Sequence, residues 1–226
     1  MARGLFITGT GTGVGKTYVG AIVARALGAS GRRVGVYKPA ASGCESRDGQ
    51  RVSPDAVALW EAAARLGTLE QVCPQLFAAP LAPHLAARAE GRRVDRALLR
   101  TGIEFWRASS DVVLVEGAGG LMSPVSDDDY NADLAAEFGY PLVIVAANEL
   151  GTINATLQTL IAARHHGGGL RVAGVVLNSP RRLAEDPSTA SNAEELRQRG
   201  GGPLLAEGAH GGGLDRDVNW WTLAGR

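Results

Sequence analysis

Cysteine is scarce in this 226-residue chain: Cys44 and Cys73 are the only two, too few and too far apart for a disulfide framework or a zinc site. A reducing compartment, the cytoplasm, is the expectation. Net charge is lacking as well. Lysine plus arginine and aspartate plus glutamate number 23 each, so the charge balance argues for neither a nucleic-acid nor a membrane partner. Long apolar runs are also missing: no stretch approaches the ~20 residues of a membrane span. The opening MARGLFITGTGTG reaches glycines after three apolar residues, so no secretory leader is expected. Glycine, in contrast, is abundant: 31 residues, about twice the usual share, without the three-residue period of collagen. With 45% hydrophobic and 20% charged residues, residues 1–226 read as a single globular domain able to bury a core.

Short apolar runs alternate with helical stretches. Strands are expected at Leu5–Thr8, Arg33–Tyr37, Val112–Val115, Leu142–Ala146 and Val172–Leu177, and helices at Tyr18–Ala29, Pro54–Leu66, Ala132–Phe138 and Ile153–His165. Continuously apolar strands separated by helices imply an α/β fold, a three-layer, doubly wound and mostly parallel sheet with helices on both faces. Strand order is not readable from this pattern. Ser53-Pro54-Asp55 supplies a hydroxyl cap, a first-turn proline and a carboxylate facing the helix dipole. A loop with Pro74, Pro80 and Pro83 leads into a helix at Pro83–Ala89. Further on, a loop is expected at Pro180–Ser191, a helix at Ala193–Arg199 and a short apolar stretch at Pro203–Ala206. The triplets Gly167–Gly169, Gly200–Gly202 and Gly211–Gly213 read as loop filler. Trp220 and Trp221 read as packing residues, against the core or a second subunit.

The chemistry concentrates at strand ends. Gly9–Thr17, GTGTGVGKT, follows a strand and opens a helix. Backbone N–H groups there can surround phosphate oxygens, Lys16 supplies a point charge, and the Thr17 hydroxyl can reach Mg²⁺. The usual spacing wants glycine where Thr10 stands. Val112–Gly120, VVLVEGAGG, ends a strand in Glu116 beside glycines, where a carboxylate can hold Mg²⁺ or its water. Lys38 occupies another strand's carboxyl end. Asp55 reads first as dipole compensation and second as a ligand, and Gly151–Asn154 as a plain helix start or a carboxylate receptor. Asn178 could pair with an adenine edge or brace a turn. The four histidines have no metal-ligand spacing.

Taken together, GTGTGVGKT, YKPAASG, SPDA, APH at Ala82–His84, VEGAGGLMSPVSD at Val115–Asp127, ELGTIN and VVLN make the chain resemble the dethiobiotin synthetases, from about Leu5 to Glu207. The resemblance implies a P-loop NTPase fold and ATP-dependent ureido-ring closure from 7,8-diaminopelargonate and CO₂ (or bicarbonate), through a carbamate and a mixed anhydride. It implies Lys38, Thr12 and Lys16 as catalytic residues and Thr17, Asp55 and Glu116 around Mg²⁺. For ATP it implies Gly13, Val14, Gly15, Lys16, Thr17, Tyr18, Asp55, Glu116, Gly117, Ala118, Gly119 and Asn178, with Pro203, Leu204, Leu205 and Glu207 completing the base and ribose pocket. For the diamine it implies Thr12, Lys38 and Ser42. It also implies a homodimer in which Gly151, Thr152, Ile153 and Asn154 bind the substrate carboxylate across the interface.

Two other readings share the phosphate loop. A cobyrinate-amidase-like synthetase would carry a glutaminase domain, for which 226 residues are expected to leave no room. A partitioning-type switch ATPase would place an extra lysine where Thr10, Gly11 and Thr12 stand.

Overall fold

The computed structural model describes residues 2–181, 186–200 and 202–225. Among these, six parallel strands form one sheet: β1 (Arg3–Gly9), β2 (Val34–Tyr37), β5 (Val112–Glu116), β6 (Leu142–Ala147), β7 (Val172–Asn178) and β8 (Leu204–Gly208). A two-stranded hairpin, β3 (Glu45–Arg47) with β4 (Gln50–Val52), stands apart. The helices are α1 (Lys16–Ala29), α2 (Pro54–Ala62), α3 (Leu69–Val72), α4 (Pro83–Ala89), α5 (Arg96–Thr101), α6 (Ile103–Ser109), α7 (Asn131–Phe138), α8 (Thr152–His165), α9 (Asn192–Gln198) and α10 (Trp220–Leu223). Every residue of β5 and β6 is buried. Side chains alternate between faces along a strand, so both faces of the sheet are covered and the architecture is three-layered. The five strands expected from the sequence lie within two residues of their expected ends.

The sheet order is β2-β5-β1-β6-β7-β8. From β1 the chain crosses through α1 to the β2 side, and it returns later to place β6 on the other flank. The direction of winding therefore reverses at β1. A crevice at the carboxyl ends of β5, β1 and β6 is where such sheets take ligands.

The expected helix over Pro54–Leu66 stops at Ala62. Ala64 and Arg65 adopt positive φ of 56° and 58°. The Arg65 N–H donates to the Trp60 carbonyl at 2.8 Å and the Ala64 N–H to the Glu61 carbonyl at 3.2 Å, a Schellman closure that usually employs glycine. Alanine and arginine gave no stop signal. Helices α5 and α6 had no sequence expectation. They meet at Gly102, where a Cβ would lie 2.4 Å from the Tyr37 hydroxyl, and they bury Leu99, Ile103 and Trp106.

Trp220 is 4% exposed and joins the core. Trp221 lies against the guanidinium groups of Arg32 and Arg3, 3.9 and 4.8 Å from its ring centre. Gly4 and Gly225 exchange backbone hydrogen bonds, so residues 220–225 pack onto the strand that leads to the phosphate loop. The expected loop at 180–191 and the triplet at 200–202 lie partly outside the described residues. No described helix is long and apolar enough to cross a membrane.

Candidate active site

Between the end of β1 at Gly9 and the start of α1 at Lys16 the backbone turns sharply through Gly15, at φ +92°. A Cβ there would stand 2.2 Å from Asn178 Nδ2, so glycine is required twice over, by conformation and by space. Asn178, 1% exposed, donates from Nδ2 to the Val14 carbonyl at 2.9 Å. The end of β7 thereby braces the loop. No side chain caps α1 and no acidic residue stands in its first turn, which leaves its first N–H groups for an anion. Lys16 folds back over the loop, its Nζ donating to the Gly11 carbonyl at 2.9 Å.

Lys38 leaves the end of β2 and is 3% exposed. Its backbone is held by the next segment: the Lys38 N–H donates to Val72, Ala41 to Gln75, Cys44 to Phe77 and Gly43 to Ala79. Lys38 Nζ donates to Glu116 Oε1 at 2.5 Å and lies 3.1 Å from Asp55 Oδ2. Thr17 Oγ1 donates to the same Glu116 oxygen at 2.9 Å. Burial alone would depress the Lys38 ammonium, but Glu116 and then Asp55 outweigh it, and its pKa rises above the usual lysine range. Burial would raise the Asp55 carboxyl, but Lys38, with help from Thr17 and Lys16, holds it below the usual range. Lys16 differs. Burial dominates and pulls its ammonium below the ordinary value, with Glu116 opposing and Lys38 adding. Glu116 Oε2 is buried with no hydrogen-bond partner. An orphaned carboxylate oxygen beside a second carboxylate and a hydroxyl is a donor set of hard oxygens, which suits Mg²⁺.

These groups open onto a cavity of about 700 Å³. Of the residues expected from sequence, Thr12, Gly13, Gly15, Lys16, Thr17, Tyr18, Lys38, Ser42, Asp55, Ala118, Gly119 and Asn178 line it. Glu116 lies behind them. The Val14 side chain is buried, and Gly117 packs against Asn131. Pro203, Leu204, Leu205 and Glu207 do not line the cavity. Leu204–Gly208 is the edge strand paired with β7, and Glu207 is bonded to Arg197 at 3.1 Å. After Gly208 the chain folds back, so that His210 and Gly211, with Ser179 and Pro180, form that wall. Tyr18 donates its hydroxyl to the Gly212 carbonyl, and His210 Nδ1 lies 3.1 Å from the Pro180 carbonyl. Within the triplet Gly211–Gly213, Gly211 thus lines the cavity and Gly212 is bonded to Tyr18 beside it. Gly151, Thr152, Ile153 and Asn154 stay outside the cavity of their own chain, at the start of α8 beside the 83% exposed Leu150.

Ala41, Pro80–Pro83 and Ser123 line the cavity as well; several of them stand in the quoted motifs, but sequence reasoning gave none of them a site role. One signal was legible and unused. Lys16 and Lys38 are the only lysines among 23 cationic side chains; the others are arginine. A compact, mobile ammonium is retained only where phosphate chemistry is expected. Neither cysteine is an activated nucleophile: burial pushes the Cys73 thiol up to about 12 and raises Cys44 as well.

Residues 3–207 match a family model described as an AAA domain. An ATP-dependent dethiobiotin synthetase BioD of Rhodopirellula baltica is 46% identical over 91% of this chain and 84% of its own length. A BioD 1 of Escherichia coli O157:H7 is 34% identical over 97% and 98%. Among solved structures, a ParA family ATPase from Chlorobium tepidum superposes with a TM-score of 0.53 at 17% identity, over 92% of this chain and 84% of that one, a likeness of fold alone. With the glycine loop, the two lysines and the paired carboxylates gathered at one sheet edge, and relatives matching over most of their length, the chain belongs to the ATP-dependent dethiobiotin synthetase family.

Proposed function

We propose that this chain closes the ureido ring of dethiobiotin from 7,8-diaminopelargonate and CO₂ at the expense of ATP, releasing ADP and phosphate, within the cavity between the phosphate loop and Lys38. The observation that carries this reading is the convergence of Lys16, Lys38, Thr17, Asp55 and Glu116 on one cavity walled by Thr12, Ser42 and the 118–123 segment.

The electrostatics suit the steps. A carbamate and a γ-phosphoryl group are both anionic, and they must approach each other for the mixed anhydride to form. The two ammonium groups offset that repulsion and the charge that develops during transfer. Lys16, reaching from the phosphate loop, would follow the β- and γ-oxygens. Lys38, already seated against Glu116 and Asp55, would face the carbamate from the β2 side, near Thr12 and Ser42. Thr17, Asp55 and Glu116 would hold Mg²⁺, which supplies neutralisation of the phosphate oxygens when bound. With the diamine and the anhydride in one enclosure, attack by the second amine is effectively intramolecular. No covalent protein nucleophile is required.

The remaining assignments are part of the same reading. Asn178 reads the adenine edge with its second amide atom, and Pro203, Leu204, Leu205 and Glu207 complete the base and ribose pocket. Two copies of the chain pair in the cytoplasm, so that Gly151–Asn154 of one receives the substrate carboxylate of the other. The start of α8, which no side chain caps, supports that role. Asn154→Ala should raise the diamine KM several-fold with kcat nearly unchanged; an unaltered KM in steady-state kinetics would place the carboxylate elsewhere.

The central test is phosphate release. Protein supplied with ATP, Mg²⁺ and bicarbonate should release phosphate only when 7,8-diaminopelargonate is added, in stoichiometric proportion to it. Release indifferent to the diamine would overturn the reading.

A further inference from the structure

The glycine-rich segment after β5 forms one wall of the cavity, and a side chain that does not line the cavity holds that wall in shape. Asn131, the first residue of α7, is 1% exposed. Its Nδ2 donates to the carbonyls of Ala118 at 2.7 Å, Gly120 at 2.8 Å and Ser123 at 3.3 Å. Its Oδ1 accepts from the Ala118 N–H at 3.1 Å. One planar amide thus engages both backbone groups of Ala118 and gathers two further carbonyls. Ser123 closes the segment from the other side, its Oγ accepting from the Gly120 N–H at 2.8 Å.

The packing around this amide is tight. A Cβ at Gly117 would lie 2.7 Å from Asn131 Oδ1, one at Gly120 would lie 3.3 Å from the Gly9 carbonyl, and the Leu121 N–H donates to that carbonyl at 3.2 Å, so the segment is packed between Asn131 and the phosphate loop. The far end is fastened independently: Asp129, 4% exposed, takes Arg96 at 2.6 Å and Arg100 at 2.8 Å. Only a neutral amide can both donate and accept here. A carboxylate would face three carbonyls, and an apolar residue would strand several backbone groups without partners.

We propose that Asn131 is a positioning residue for the reaction: it sets the Ala118–Ser123 wall against the phosphate loop, and so keeps the diamine and the transferred phosphoryl group aligned while touching neither. The inference rests on the ring-closing reading above. Displacing such a wall by a fraction of an ångström acts on the reacting geometry, and the triphosphate keeps its hold through residues 9–18.

The test is Asn131→Ala alongside the isosteric Asn131→Asp, which keeps the acceptor and loses the donors; should neither fold, Ser123→Ala loosens the same wall from its other side by removing the Gly120 N–H bond, with the same kcat loss expected. Ser110→Ala is the control. It removes a buried hydrogen bond to Trp106 at the opposite end of β5, lowering Tm without altering kcat. Both Asn131 variants should lose roughly ten- to a hundred-fold in kcat for diamine-dependent phosphate release, with the KM for ATP within about three-fold of the parent. An unchanged kcat with a Tm loss like that of Ser110→Ala overturns the positioning role, as does an ATP KM that rises as much as kcat falls. A parent protein without diamine dependence would instead fail the underlying reading, so the two failures are separable.

Discussion

Replacing Lys38 by alanine should lower kcat by roughly 10³-fold while nucleotide affinity changes by less than about ten-fold. The split follows from where this side chain is anchored. Lys38 does not belong to the phosphate loop. It is delivered from β2, its backbone is fixed by the 72–79 segment, and its ammonium is seated between Glu116 and Asp55. ATP retains Lys16 and the helix N-terminus without it. The charge that develops between carbamate and γ-phosphoryl during transfer loses its nearest preorganised cation, and a group that matters chiefly in the transition state appears in kcat. Lys38→Arg should recover little, because a planar fork does not fit a 3% exposed position shaped for a point charge. ADP titration and single-turnover phosphate release on the same preparations would measure the split. Equal losses in binding and turnover would show that Lys38 is only part of the ATP clamp.

Glu116→Gln should be costly in a different way. Lys38 and Glu116 are both almost wholly buried, with side chains 4% and 1% exposed, so each is the nearest counter-charge the other has. Removing the carboxylate leaves the ammonium with Asp55 alone, whose side chain is 53% exposed and screened by water. Breaking a buried pair at one partner costs roughly 3–5 kcal/mol, which urea denaturation would read as a lower midpoint with an unchanged slope. Turnover should fall at least about a hundred-fold as well, since the same carboxylate accepts from Thr17 and carries the orphaned oxygen suited to Mg²⁺. A variant within about 0.5 kcal/mol of the parent would show that the pair is not coupled. Lys38→Ala breaks the same pair from the other side and should lower the urea midpoint too, so it is the split between kcat and nucleotide affinity, and not stability, that reads the role of Lys38 in the chemistry.

Much of this site was legible before any coordinates, because strand ends, glycines and charged residues coincide in the sequence. GTGTGVGKT announces its own geometry: only glycine tolerates the turn at position 15, and only a free helix start leaves donors for phosphate. Contacts that are long-range in sequence and carry no local pattern were not legible. Nothing around Asn131 marks it as a brace for residues thirteen positions earlier, because an asparagine at a helix start has an ordinary local explanation. The base-side wall was legible only in part. The resemblance points to Pro203, Leu204, Leu205 and Glu207 on the edge strand, whereas His210 and Gly211, which line the cavity, sit in a stretch that composition marks as filler. Helix α2 ended early because alanine and arginine adopted a conformation usually left to glycine.

The confinement of lysine to positions 16 and 38 also bears on how the enzyme could be watched. Side-chain amine chemistry on this chain has two addresses, and both face the same cavity. Reductive methylation with isotope-labelled formaldehyde would therefore write its side-chain signals only where ligands arrive. Lys16, bonded only to the Gly11 carbonyl, should be acylated or alkylated before Lys38, which is locked to its carboxylates. A resonance from each would follow nucleotide and diamine separately, without a single engineered substitution and without background from the twenty-one arginines elsewhere in the chain.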